Sequence, residues 1–90
     1  MTLREWLAER APDILLADGF DAALIGYAER CGEPARAVYD VDRCIALLRD
    51  HDGLTEEDAV DFFEYNVLGA WVGPHTPMFL TRPPDDLEAE

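Results

Sequence analysis

The chain contains no lysine, serine or glutamine, and all seven of its basic residues are arginine. Without serine there is no serine-type nucleophile, and neither cysteine lies in a nucleophile motif. Glycine-rich phosphate-binding loops of the Walker and Rossmann types are also absent. No apolar run approaches the roughly 20 residues that a membrane-spanning helix requires. These absences argue against several enzyme classes and against a membrane protein.

Cysteine is scarce as well, and Cys31 and Cys44 suit two free thiols in a reducing cytosol. A disulfide that closes a short loop between them is the alternative. The first twelve residues include acids and lack the continuous apolar segment of a signal peptide, so we expect a cytoplasmic location. The cysteines and histidines follow one another at spacings of 13, 7 and 24 residues: Cys31, Cys44, His51 and His75. These spacings match none of the compact pairs that usually hold zinc, and we expect neither a metal nor a cofactor.

Acidic residues outnumber basic ones by 20 to 7, which gives a net charge of −13. Four of the acids lie in the last eight residues, and residues 1–82 still hold 16 acids against 7 arginines. Direct binding to nucleic acid or to an anionic membrane is therefore disfavoured. A GC-rich genome or a salt-adapted host would produce the same bias without a functional cause.

Ninety residues, 49% of them apolar, predict one globular domain with a single modest core. We place this domain at residues 1–82. The acidic segment 83–90 is expected to form a disordered tail.

Three helices are predicted from capping signals. Thr2 begins a capping box, and the helix that follows it ends near residue 10. Asp42 is expected to cap a second helix, which Gly53 ends. Thr55 caps a third helix, whose broad apolar face comprises Ala59, Phe62, Phe63, Asn66 and Val67.

The strands are predicted from alternation. Residues 23–30 and 35–41 indicate an antiparallel hairpin, with Leu24, Gly26 and Ala28 on one face of its first strand. Residues 76–82 indicate a last strand, and residues 14–16 are either a fourth short strand or a turn of helix. Two groups of strands separated by helices predict an α+β fold: a small antiparallel sheet of three or four strands with two or three helices packed on one face.

The segment FFEYNVLGAWVGPHTPMF, residues 62–79, holds many of the side chains that functional sites use. General acid–base catalysis needs an acid, a base and a group that orients them. Suitable residue types occur here, but without a characteristic spacing: Tyr65, Asn66, His75, and Glu64 or Asp61. The Asn66 amide has a structural explanation, because it would satisfy backbone groups where the chain leaves the helix. Tyr65, Trp71 and His75 have no predicted structural role, and they are candidate binding residues.

Glu57, Asp61 and Glu64 fall at positions i, i+4 and i+7 of the third predicted helix. Their carboxylates would line one helix face at steps of roughly 5–6 Å, close to the phosphate spacing of a nucleic-acid strand. A protein that mimics DNA would present such a row. The alternative is an ordinary solvated face, since acids in the first turn are favoured by the helix dipole.

Several motifs together resemble a group of small uncharacterised phage and prophage proteins. These motifs are GFDAALIG at residues 19–26, AVYD at 37–40, EEDAVDFFEYN at 56–66 and GAWVGPHTPMF at 69–79. The likeness covers roughly residues 18–80. It implies a phage origin and no particular chemistry. By analogy with other small acidic phage proteins, it suggests a factor for host takeover or for anti-defence.

The sequence thus favours a small acidic accessory protein that binds a host or phage protein without catalysis, in the host cytosol. The expected partner carries a basic surface, and the candidate contact residues are Glu57, Asp61, Glu64, Tyr65, Trp71 and His75. One alternative is a small-ligand binder or enzyme with a pocket near Tyr65, Trp71 and His75. The other is a self-associating structural subunit that covers Trp71 and a sheet edge.

Overall fold

A computed structural model describes residues 1–88 and confirms the α+β fold, with three helices and a three-stranded sheet of order β1-β2-β3. Residues 14–16 form neither strand nor helix. A short 3₁₀ turn, Asp21–Ala23, precedes the first strand, and a π-helix, Phe63–Leu68, continues the third helix. The main elements are α1 (Leu3–Arg10), β1 (Leu24–Arg30), β2 (Glu33–Asp40), α2 (Val41–Asp52), α3 (Glu56–Phe62) and β3 (Met78–Leu80).

The predicted helix starts are confirmed at α1 and α3, and the start of α2 is corrected. Both hydrogen bonds of the Thr2 capping box are present, and the Thr55 hydroxyl accepts a hydrogen bond from the Asp58 amide at 3.2 Å. The N-cap of α2 is Asp40, whose carboxylate accepts from the Arg43 amide at 3.4 Å. The predicted cap, Asp42, lies inside the helix because β2 runs into α2 without a linker.

The end of α3 differs from an ordinary helix. From Phe63 the chain adopts π-helical hydrogen bonding, and the Gly69 amide donates to the Glu64 carbonyl five residues back, at 3.1 Å. A Cβ at position 69 would lie 3.1 Å from the Glu64 carbonyl oxygen and 3.3 Å from that of Tyr65. Glycine is therefore suited to the close approach of the backbone where the helix ends.

The hairpin of β1 and β2 is antiparallel, as predicted, but a bulge changes which side chains share a face. Leu24 pairs with Tyr39, whereas Tyr27 pairs with Ala37, because the register shifts between Leu24 and Gly26. Paired residues share a face, and Ala37 and Tyr39 lie two apart on β2. Leu24 and Tyr27 therefore face the same side. The prediction that Leu24 and Gly26 share a face is wrong, since a bulge adds one residue to the strand.

The third strand is shorter than predicted and runs parallel to β2. Val38 pairs with Met78, and Asp40 pairs with Leu80. The chain leaves β2 and crosses through α2 and α3 before it re-enters the sheet, and such a crossover connects parallel strands. The sheet is consequently mixed, and the predicted antiparallel arrangement holds for the hairpin only.

All three helices pack on one face of the sheet, as expected, and α2, α3 and the π-helix contribute to a core around the side chain of Tyr39. The buried core comprises Ala23, Ala37, Tyr39, Cys44, Leu48, Ala59 and Phe63. Phe79 of β3 joins it, with its ring centroid 5.8 Å from Tyr39 and 5.2 Å from Phe63. Trp6 of α1 packs on Tyr27 at 5.6 Å. The Tyr39 hydroxyl accepts a hydrogen bond from the Ala17 amide at 2.8 Å, which ties the segment before β1 to the core.

The sheet ends in an ion pair between Arg82 and Asp40, at 3.0 Å. Residues 83–88 beyond it are exposed, and Ala89 and Glu90, the end of the predicted disordered tail, lie outside the described residues. In residues 1–88 no helix has the length and apolar character needed to cross a bilayer.

Replacing Tyr39 by Phe should lower the free energy of unfolding by about 1–2 kcal/mol, because the Ala17 amide loses its acceptor while ring packing is kept. Denaturant titration measures the change, and amide hydrogen exchange should accelerate at Ala17. Tyr65→Phe is the matched control, since that side chain is 84% exposed. Equal stability of the two variants would contradict a structural role for the hydroxyl bond.

Candidate functional site

The loop between the π-helix and β3 is closed by the side chain of Thr76. This buried hydroxyl donates to the Gly73 carbonyl at 2.6 Å and accepts from the Val72 amide at 2.9 Å. Gly73 has a φ of 113°, which L side chains rarely adopt. These contacts give the loop a defined shape although most of its residues are exposed.

Three contacts attach this loop to β2. The Arg36 Nε atom donates to the Pro74 carbonyl at 3.0 Å, and the guanidinium lies 5.7 Å from the centroid of the Trp71 ring. The His75 Nδ1 atom lies 3.0 Å from the carbonyl oxygen of Ala35, so the hydrogen bond requires a proton on Nδ1. The expectation that Trp71 and His75 lack a structural role is therefore corrected: both help to fix the loop on the sheet.

An exposed apolar surface lies along residues 65–72, and we call it the aromatic patch. It consists of four side chains with their exposed fractions: Tyr65 (84%), Leu68 (52%), Trp71 (66%) and Val72 (62%). Tyr65 and Leu68 belong to the π-helix and the other two to the loop. Single exposed apolar residues are common on proteins, but four within eight consecutive residues concentrate exposed apolar area on this segment.

The predicted acidic strip, Glu57, Asp61 and Glu64, is exposed but is not a regular row. Glu57 and Asp61 lie one turn apart on α3, whereas Glu64 lies in the π-helix, where the α-helical repeat no longer holds. None of the three forms a salt bridge within residues 1–88. Residues 50–81 contain seven acids and no lysine or arginine. The strip is thus an uncompensated negative surface, and Asp61 precedes Tyr65 by one helical turn.

Asn66 has the structural role that the sequence predicts. Its Nδ2 atom donates to the Phe62 carbonyl at 3.3 Å, at the point where α3 becomes the π-helix. The amide therefore supports the change of helical form. Asn66 and His75 hydrogen-bond to separate backbone carbonyls, those of Phe62 and Ala35.

An apolar groove of about 410 Å³ runs beside the patch, between the segment before β1, the π-helix and β3. None of Tyr65, Trp71 and His75 lines it, so the predicted mouth residues are not part of this groove. Its walls contain no ionisable side chain: Leu15, Leu16, Ala17, Phe20, Asn66, Val67, Ala70, Val72, Thr76, Pro77 and Phe79. Val72 belongs to both surfaces and makes the groove continuous with the aromatic patch.

The two cysteines are free thiols, as expected, but their environments differ. Cys31 is exposed in the turn of the hairpin, and Cys44 is fully buried in α2. Burial, with a smaller contribution from the Asp40 carboxylate, raises the pKa of Cys44 to about 12. Among residues 1–88 no group of three metal-binding side chains is close enough to hold an ion.

Fold and surface together define a small acidic α+β protein with an ordered, exposed aromatic loop. Comparison with protein-family models, curated proteins and solved structures yields no match for the chain.

Cys31 should react with an aromatic disulfide reagent at neutral pH, whereas Cys44 should react only after unfolding. The raised pKa of Cys44 also makes the free energy of unfolding depend on pH. The buried thiol stabilises the fold below the ordinary thiol pKa of 9.0, and this contribution is lost as the pH rises toward about 12. Cys44→Ala should therefore flatten the alkaline decline in melting temperature, with Cys31→Ala as its control. Fast labelling of both thiols in the folded protein would contradict the burial of Cys44.

Proposed function

We propose that this protein acts by non-enzymatic binding to a protein with a basic surface, through the aromatic patch and the acidic strip. One observation carries the proposal. Four large apolar side chains, each more than half exposed, continue directly from carboxylates that have no basic partner in residues 1–88.

The patch has the composition of an interface centre. Tyrosine and tryptophan dominate binding energy in protein interfaces, because they bury a large area with few rotatable bonds. Trp71 rests on the Arg36 guanidinium, and the loop that carries it is closed by Thr76. A side chain held in place before binding loses less entropy on association, which supports a preformed recognition surface.

The charge of the strip indicates the chemistry of the partner. Seven acids without a lysine or arginine in residues 50–81 produce a negative field on the side that bears α3. Such a field accelerates association with a positively charged surface and opposes association with acidic ones. Because the π-helix breaks the regular spacing at Glu64, this charge suits a basic protein surface better than imitation of a phosphate row.

The apolar groove supplies a place for one apolar side chain of the partner. It adjoins the patch at Val72 and has no charged wall. A partner segment that combines arginine or lysine with one bulky apolar residue would satisfy the strip, the patch and the groove together.

The likeness of residues 18–80 to small phage and prophage proteins supports the proposal that the protein acts inside an infected bacterial cell. By analogy, the partner is a host protein in the bacterial cytosol, and the outcome is host takeover or suppression of defence. Many proteins that bind nucleic acid carry the basic surface that the strip would engage.

Affinity capture from a host lysate, followed by titration with the purified captured protein, tests the proposal. The triple variant Glu57→Gln, Asp61→Asn, Glu64→Gln should weaken binding roughly tenfold at low salt and much less at high salt, because salt screens exposed charges. Trp71→Ala should weaken it by about tenfold or more at either salt concentration.

Two variants of the acidic tail serve as controls. Asp85→Asn, Asp86→Asn, Glu88→Gln removes the same charge, and Leu87→Ala removes a side chain that is 63% exposed. Both should bind as the unchanged protein does. If the strip and patch variants kept full affinity for the captured protein, the surface would be assigned wrongly.

The groove also favours a second candidate function, the binding of a small uncharged apolar molecule. Its volume of about 410 Å³ lies within the ~300–1,000 Å³ range of ligand sites. Asn66 and Thr76 contribute the polar side chains of its wall.

A panel of uncharged aromatic and aliphatic compounds should raise the melting temperature if this second function holds, because a ligand that binds only the folded state stabilises it. Ala70→Phe, which fills the groove, should abolish the shift. A panel without any shift would leave no support for this candidate.

A further inference from the structure

The sheet has a second face, which we call the open face, opposite the helices. Gly26, Val38 and Met78 pair across β1, β2 and β3 and form one row on this face. The neighbouring positions Tyr39 and Phe79 point into the core, so the row points away from it. Met78 and Leu80 are each 45% exposed.

The chain's negative charge is excluded from the sheet. Residues 24–40 and 78–82 hold three acids and three arginines, whereas the rest of the chain holds 17 acids and four arginines. Two of the three acids are paired within the sheet, Glu33 with Arg30 at 3.4 Å and Asp40 with Arg82 at 3.0 Å. The whole net charge of −13 therefore lies outside these residues.

The row on the open face is complementary to itself. Gly26 and Met78 occupy the two outer strands, one on each side of Val38. A Cβ added to Gly26 would meet no atom within 4 Å, so the space above this position is open, and we call it the hollow. The Met78 side chain on the other outer strand is 45% exposed. Rotation by a half-turn about an axis parallel to β2 exchanges the outer strands and brings a projecting methionine over each hollow.

We propose that the open face binds a second copy of this chain, as a two-fold dimer in which two sheets pack face to face. Met78 of each copy lies over Gly26 of the other, and the two Val38 side chains meet at the axis. A two-fold interface uses the same patch on both copies, which requires this kind of self-complementarity. Sheets stacked in this way lie about 10 Å apart, a distance that side chains of this size fill.

Charge favours a second copy as the occupant. Two chains of net charge −13 repel each other wherever acidic surfaces meet, and the neutral sheet is the region where they approach without that repulsion. Both edges of the sheet are poorly suited to pairing with another strand. The pairing of β1 is interrupted by two register shifts, and β3 is three residues long, with Pro77 directly before it and Pro83 three residues after its end. Self-association through the face thus replaces the edge contact that the sequence suggested.

Sedimentation equilibrium and light scattering over a wide range of concentration test the dimer. The unchanged protein should dimerise, and more strongly at high salt, because salt screens the repulsion between the acidic surfaces. Gly26→Val should weaken dimerisation about tenfold or more by filling the hollow. The same change should leave the melting temperature unchanged or higher, since valine suits a strand and meets no atom in the monomer.

A second pair of variants separates the open face from the helical side. Met78→Arg should abolish dimerisation, whereas Leu68→Arg, at a comparably exposed position in the π-helix, should leave it intact. The double variant Gly26→Val, Met78→Ala exchanges the large and small partners and should recover part of the lost affinity.

A protein that remains monomeric at the highest concentration would overturn the proposal. So would dimerisation that persists unchanged in both Gly26→Val and Met78→Arg. If Gly26→Val lost its circular dichroism signal, Met78→Arg would decide the outcome, because its exposed side chain lies outside the core.

Discussion

The fold depends on the burial of one phenol, that of Tyr39 in the central strand. Its ring packs against Phe79 of β3, and its hydroxyl accepts the hydrogen bond of the Ala17 amide. This single side chain of β2 therefore contacts both β3, which follows the crossover, and the segment before β1. A slip of β2 by one residue would turn this polar group to the open face, so its hydrogen bond also specifies the register. The hydrogen bond to Ala17 also shapes the apolar groove, because residues 15–17 form one of its walls.

Around this core the molecule separates two kinds of surface. The helical side carries the uncompensated acids of α2 and α3, whereas the sheet is neutral. Its open face presents Val38 and Met78 beside Arg36, whose guanidinium contacts Trp71. In the π-helix that continues α3, Phe63 stays in the core while Tyr65, two residues later, is 84% exposed. Such a change of helical form gives up regular hydrogen bonding and is frequent at functional sites. The Arg36 contacts then fix Trp71 against the edge of β2.

Local signals in the sequence predicted much of this fold. Thr55 and Gly53 mark helix ends through contacts within a few residues, and alternation located the hairpin. The bulge before Gly26 escaped prediction because it shifts the pairing of a strand without changing its composition. The direction of β3 depends on a partner 40 residues away, and no local pattern encodes it. His75 shows the same limit: its hydrogen-bond partner is a backbone carbonyl, which has no signature in the sequence. The exposed acids and aromatics were identifiable as surface candidates, but their arrangement arises from tertiary contacts.

The parallel pairing of β3 has a consequence for the order in which the molecule assembles. The hairpin closes over a two-residue turn, whereas Val38 and its partner Met78 are 40 residues apart along the chain, with both crossover helices between them. Long-range pairing of this kind is slow, because the entropy of closing the intervening chain is lost before any contact compensates for it. On a ribosome the third strand also emerges after the hairpin and both crossover helices. Phe79 and Met78 are neighbours on this strand and point to opposite faces, so the step that completes the core also completes the open face.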